Sequence, residues 1–126
     1  MLKSVLLLTA GIVIGAGAIQ GINAAGGSPV YNVYEANVTD EAAYTKALPD
    51  VEKVIKENGG VRIAGGFNKA KLVNGKTPVG NRYVVIRWDN EAAFTKAQEG
   101  GIKAWLEKNA PADYRQVLVE GVDATK

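Results

Sequence analysis

A seven-residue stretch of this chain returns with one change. Glu41-Ala42-Ala43-Tyr44-Thr45-Lys46-Ala47 returns fifty positions later as Glu91-Ala92-Ala93-Phe94-Thr95-Lys96-Ala97, with Tyr replaced by Phe. Each copy follows an apolar run and a residue suited to cap a helix, Asp40 in the first and Asn90 in the second. Acids at the first helical positions, Glu41 and Glu91, suit the positive end of a helix dipole, so the motif is structural rather than chemical. The repeat therefore demands one strand–helix unit built twice. A shift of fifty lays the first strand on the third and the first helix on the second.

Taken in order, Val30 to Val38 forms the first strand, with Val30, Asn32, Tyr34, Ala36 and Val38 on one face and Tyr31, Val33, Glu35 and Asn37 on the other. The first helix carries its apolar positions Tyr44, Ala47, Leu48, Val51, Val54 and Ile55 at a 3.6-residue period. Pro49 falls inside that pattern and should kink or restart it, and Asn58-Gly59-Gly60 ends it. Val61 to Val73 reads as a long second strand, bent or bulged at Gly65-Gly66. Gly75, Pro78 and Gly80 lead to a third strand, Arg82 to Trp88. A second helix follows, interrupted at Gly100-Gly101 and resumed through Ile102, Trp105 and Leu106. Asn109-Ala110-Pro111 stops it, and Arg115 to Val122 is the last strand.

Strand, helix, strand, strand, helix, strand is the split βαβ plan, which predicts an α+β, ferredoxin-like domain over residues 30–122. Its antiparallel sheet carries both helices on one face, and the two repeated strands are expected side by side and parallel at the centre. Tyr34, Ala36 and Val38, matched to Val84, Ile86 and Trp88, should pack beneath the helices. The opposite face, with Tyr31, Val33 and Glu35 beside Tyr83, Val85 and Arg87, is too apolar to rest in water. Two such faces closing on each other would make a homodimer with a cleft between its sheets.

Composition narrows the chemistry. The chain has no Cys, which excludes disulfides and thiolate chemistry, and no His, which removes the commonest general base, metal ligand and proximal haem ligand. No metal site and no cofactor are expected. A formal charge of +2 in 126 residues leaves no electrostatic footprint for nucleic acid. Residues 1–25 run from the basic Lys3 through an uncharged, mostly apolar stretch to the small residues Ala24 and Ala25, the order of a secretory signal peptide. The competing expectation is an uncleaved membrane anchor, because Ser4 to Ala25 is long enough to span a bilayer and holds two GxxxG pairs. Export to the periplasm or the extracellular space follows from the first. Residues 26–29 lead into the domain, and 123–126 form a polar tail. Asn37-Val38-Thr39 matches the N-glycosylation pattern but falls at a strand end.

Nucleophile–base pairs, metal-ligand spacings and phosphate loops are missing from the sequence. Candidate ligand-cleft residues are therefore Tyr31, Glu35, Tyr83 and Arg87 on the uncovered face. Glu35 and Arg87 are expected to approach diagonally, either as a pair that satisfies two polar groups or as a polar anchor in an apolar pocket.

An ordered set of motifs resembles the family known as domain of unknown function 1330. It comprises Val30-Tyr31, Val38-Thr39-Asp40, Tyr44, Gly59-Gly60, Gly65-Gly66, Arg82 before Val84-Val85-Ile86, and Val117-Leu118-Val119-Glu120-Gly121, across about residues 29–122. The resemblance implies the dimeric α/β-barrel superfamily, whose members include cofactor-free monooxygenases, haem-dependent peroxidases and small-molecule binding modules. This chain departs from the family's pattern at Arg87, where an acid is usual, and in Glu99 to Leu106, which lack its aromatic-Ser-x-x-Tyr stretch. Three functions follow as expectations: a binding module for a small, partly apolar molecule, a cofactor-independent oxygenase or isomerase with Glu35 as base, or a purely structural dimer.

Overall fold

The computed structural model describes residues 27–76 and 80–122. The leading segment expected to direct export, residues 1–25, and the polar tail lie outside them. Among the described residues, no helix is long and apolar enough to cross a membrane.

Four strands and two helical arms follow the expected order. β1 is Val30–Ala36, α1 Glu41–Glu57, β2 Val61–Phe67 and β3 Arg82–Trp88. The second arm comprises α2 (Glu91–Ala97), a π-helical turn (Gln98–Ile102) and α3 (Lys103–Asn109), and β4 is Arg115–Glu120. The twin motif opens both arms in the same way. The Asp40 carboxylate accepts the Ala43 amide at 3.0 Å, and the Asn90 side chain accepts that of Ala93 at 2.8 Å. Pro49 neither breaks nor restarts α1, which runs unbroken through it. It sits on the exposed side, and the missing N–H leaves only the Thr45 carbonyl to water. Gly59, at a φ of 82°, ends the helix as expected. In the second arm Gly101 leaves helical geometry, with a φ of 152°, so the arm is interrupted by a kink at the glycine pair, as expected.

The sheet order is β2-β3-β1-β4, antiparallel throughout. β1 and β3 are neighbours at its centre, yet they run antiparallel, which corrects the expected parallel pairing. The reason lies in the connections. The helical crossover makes β2 parallel to β1, and the return from β2 reverses direction, so β3, inserted between them, opposes both. Tyr34 faces Val84 across the central pair, and those two residues are also equivalent under the shift of fifty. The repeat is therefore related by a two-fold rotation about this pair rather than by a translation.

The second strand is shorter than expected. It ends at Phe67, its register slips between Arg62 and Ala64, and Lys69 to Val73 form no strand. The bulge sits at Ile63 instead of at the glycines. Gly65, at a φ of 103°, lets β2 lie close on the Tyr83 carbonyl, where a side chain would collide.

The core lies where the face assignment put it. Val30, Tyr34, Ala36, Val38, Val84, Ile86 and Trp88 are buried under Tyr44, Val51, Ala97, Ile102 and Leu106. Trp88 is wholly enclosed and meets Phe94 edge-on at 5.9 Å. Trp105 is fixed by donation from its indole Nε1 to the Ala47 carbonyl at 2.9 Å.

Candidate functional site

The four residues singled out from sequence lie together on the uncovered face, each half-buried. Tyr31 stands opposite Arg87, and Glu35 opposite Tyr83. Antiparallel pairing therefore puts Glu35 and Arg87 four residues apart along the central ribbon, about 13 Å at the usual strand rise. The expected diagonal pair does not form. Glu35 instead binds Arg115 of β4 at 3.4 Å, and Arg87 binds Asp89 at 3.3 Å. Val33 and Val85 face each other between these pairs, and Val61, Val117 and Val119 extend the apolar strip to both edges, each about half exposed. This is an apolar face with a charged pair at each end.

A mostly apolar cavity lies on the other side of the sheet. Leu48, Val51 and Ile55 of α1 and Ile102, Trp105 and Leu106 of the second arm roof it, over a floor of Asn32, Tyr34, Arg82, Val84, Ile86 and Gln116. About 70 Å³ is open to the centres of water molecules, several times what one water needs. The lining is mostly apolar, with a few polar groups converging on one region, as in small-molecule sites.

Those polar groups come from a predictable place. Asn32 and Arg82 are the buried polar or charged residues of the described chain, 2% and 5% exposed. They stand fifty positions apart and are thus one site in the two copies of the repeat. Asn32 is satisfied by donating to Gln116 Oε1 at 3.0 Å. Arg82 packs its guanidinium over the Phe67 ring at 4.8 Å and the Tyr44 ring at 5.7 Å. Its Nε is buried without a partner, and among the described residues no carboxylate pairs with it. Burial accordingly lowers its pKa from the ordinary arginine value.

Beside it, the Tyr44 hydroxyl donates to the Tyr34 hydroxyl at 2.9 Å in a buried contact. Burial raises both phenol pKa values, and for Tyr34 the shared hydrogen bond raises it further. Both are neutral phenols at any physiological pH. Tyr44 also meets Trp105 edge-on at 5.2 Å, so one tyrosine joins the cavity's apolar wall to its polar corner.

Sequence reasoning placed Tyr34 and Tyr44 in the core without seeing that their hydroxyls meet, and it left Arg82 unused. The signal was present. Arg82 shares the strand parity of Val84, Ile86 and Trp88, so a cation heads a row that must point inward.

No family model matches the chain, and no curated protein matches it in sequence. Solved structures do. A protein of unknown function from Rhodopseudomonas palustris, RPA0582, is similar at a TM-score of 0.58 and 15% identity, over 90% of this chain and 98% of that one. A candidate antibiotic biosynthesis monooxygenase from Caulobacter crescentus follows at 0.52 and 13%, covering 78% and 93%. Another from Nitrosomonas europaea stands at 0.50 and 18%, covering 79% and 94%. At such identities the likeness speaks for the fold alone: this chain has the α+β, βαββαβ fold that these structures share, a four-stranded antiparallel sheet with two helical arms.

Proposed function

We propose that this chain is a binding module for a small, mostly apolar molecule, held between the helices and the sheet against Tyr34, Tyr44 and Trp105. The observation that carries it is the apolar cavity, whose polar groups gather in one corner. Two copies close their uncovered faces on one another, because the strip from Val61 through Val85 and Val33 to Val119 is apolar and otherwise wet. In that arrangement Tyr31, Glu35, Tyr83 and Arg87 belong to the interface between sheets, and the ligand sits on the opposite side. Export through residues 1–25 would deliver the module to the periplasm or beyond. The narrower kinship with the domain of unknown function 1330 family belongs to this proposal and is supported by the ordered motifs.

A second function, catalysis without a cofactor, is favoured by one observation: two neutral phenols and a cation share one buried corner beside the cavity. Such a corner can hold a developing oxyanion, and two of the similar structures are candidate monooxygenases. Glu35 is poorly placed as its base, since it lies on the uncovered face and is paired with Arg115.

A thermal-shift screen of small aromatic and aliphatic metabolites tests the location. Stabilisation by a hit should persist in Tyr31→Ala and Tyr83→Ala and disappear in Leu48→Trp, whose larger side chain fills the cavity. The reverse pattern would move the site to the cleft between sheets.

A further inference from the structure

The two halves of the repeat differ at the point where a polar group needs a partner. Asn32 in β1 and Arg82 in β3 are equivalent, and each lies beside an edge strand, β4 in one case and β2 in the other. The residue that satisfies Asn32 is Gln116, which stands opposite Tyr34 in the β1–β4 pairing. Under the repeat, Tyr34 corresponds to Val84, and the residue opposite Val84 in the β2–β3 pairing is Gly65. The place that supplies a side-chain acceptor in one half supplies no side chain in the other. Gly65 cannot be replaced by an acceptor, since a Cβ there would run into the Tyr83 carbonyl at a φ of 103°.

The Tyr44 phenol lies against the guanidinium, but the surroundings of Arg82 leave its Nε without an acceptor. Two aromatic faces give it cation–π contact. The charged residues that share the cavity's edge are Arg62, a second cation, and Glu52, which is turned to Arg62 at 3.9 Å with both side chains about half exposed. The inner corner thus holds a net positive charge and hydrogen-bond donors, an arginine and two phenols, with an apolar wall alongside. A buried cation of this kind is costly unless an anion accompanies it.

Building on the cavity proposed above, we infer that the ligand is a small monoanion, a carboxylate or similarly delocalised oxyanion on a short apolar body, whose charged end replaces the partner that Gly65 cannot provide to Arg82. The guanidinium takes the anion, a tyrosine hydroxyl donates to it, and the body lies against Trp105 and Leu48. The size of the cavity suits a body no larger than a single ring.

Calorimetric titration of the full chain, in chloride-free buffer, with matched acid–amide pairs from acetate and acetamide to benzoate and benzamide tests this. At least one acid should bind tenfold or more tighter than its amide, and in Arg82→Met the two should differ by less than twofold. Equal binding of acid and amide to the unaltered chain would overturn the anionic ligand while leaving the cavity as a neutral site. Preference for the acid that survives Arg82→Met would overturn the role of Arg82. Binding of neither member of any pair would remove the cavity as a ligand site, and this inference with it. Should Arg82→Met not fold, Arg82→Lys keeps the charge but not the planar fork. Acid affinity three- to tenfold weaker, with amide affinity unchanged, would then support the assignment, and unchanged acid affinity would refute it.

Discussion

Removing the hydroxyl of Tyr34 or Tyr44 separates a hydrogen bond from mere adjacency. In Tyr44→Phe the Tyr34 oxygen loses its donor, and in Tyr34→Phe the Tyr44 hydroxyl loses its acceptor, in a contact that is buried on both sides. Leaving one such group unsatisfied costs about 1–3 kcal/mol, whereas removing both partners together is close to neutral by comparison. The cavity alongside admits water, so the lower part of that range applies, and each single variant should lose about 1–2 kcal/mol. The double variant should lose no more than the worse single one, which makes the coupling energy about 1–2 kcal/mol. Urea unfolding followed by fluorescence reads this as a shift in midpoint at constant slope, and in a domain of this size each kcal/mol lowers Tm by roughly 4–8 °C. Losses that add, with a coupling below about 0.3 kcal/mol, would show that the two hydroxyls are near each other without being joined.

The same pair sets a response to alkali. Because both phenol pKa values are raised in the folded state, the stability they contribute is complete below the unfolded value of about 10 and drains away as pH rises from there. The slope is about 1.4 kcal/mol per pH unit for each group. Absorbance of tyrosinate during alkaline titration should show a cooperative step that coincides with unfolding and is smaller in the double Phe variant; a gradual titration with the fold intact would refute the burial argument. On the uncovered face, Val85→Arg puts a charge at the centre of the apolar strip, and light scattering should fall from the mass of two chains to that of one, 13.3 kDa, with circular dichroism unchanged. An unaltered chain that is monomeric at micromolar concentration would refute the proposed pairing of sheets.

Most of the architecture was legible from one repeat because a seven-residue motif repeated with a single change carries phase information that propensity lacks. It matched strands to strands and helices to helices, and it sorted the inward row from the outward one. Val84, Ile86 and Trp88 were found under the helices for that reason. What it could not carry was direction. A sequence repeat is silent on whether its copies are related by translation or rotation, and only the reversal between β2 and β3 decides that. The Glu35–Arg87 pair failed through this single step, since the same two positions that approach on parallel strands stand far apart on antiparallel ones. The second strand was overextended for a different reason: Leu72 and Val73 continue an apolar pattern, yet they have no strand to pair with and stay exposed.

Internal symmetry also explains why the cavity's polar corner was overlooked. Apolar and polar patterning marks a face by its majority, so Arg82 and Asn32 were absorbed into rows that are otherwise apolar. Compared across the repeat, however, they become informative, because two equivalent inward positions are both polar when either alone could be an accident. Their difference is informative too. In the β1 half the need is met within the chain by Gln116, which ties β4 to β1. In the β3 half, glycine at the corresponding place brings β2 close to β3 and leaves a cation facing the cavity. A duplicated unit that folded for stability alone would be expected to satisfy both copies alike. That this one satisfies a single copy, beside the cavity and under the Tyr44–Trp105 wall, supports the proposed site on the helix side of the sheet and makes its charge the first property to measure.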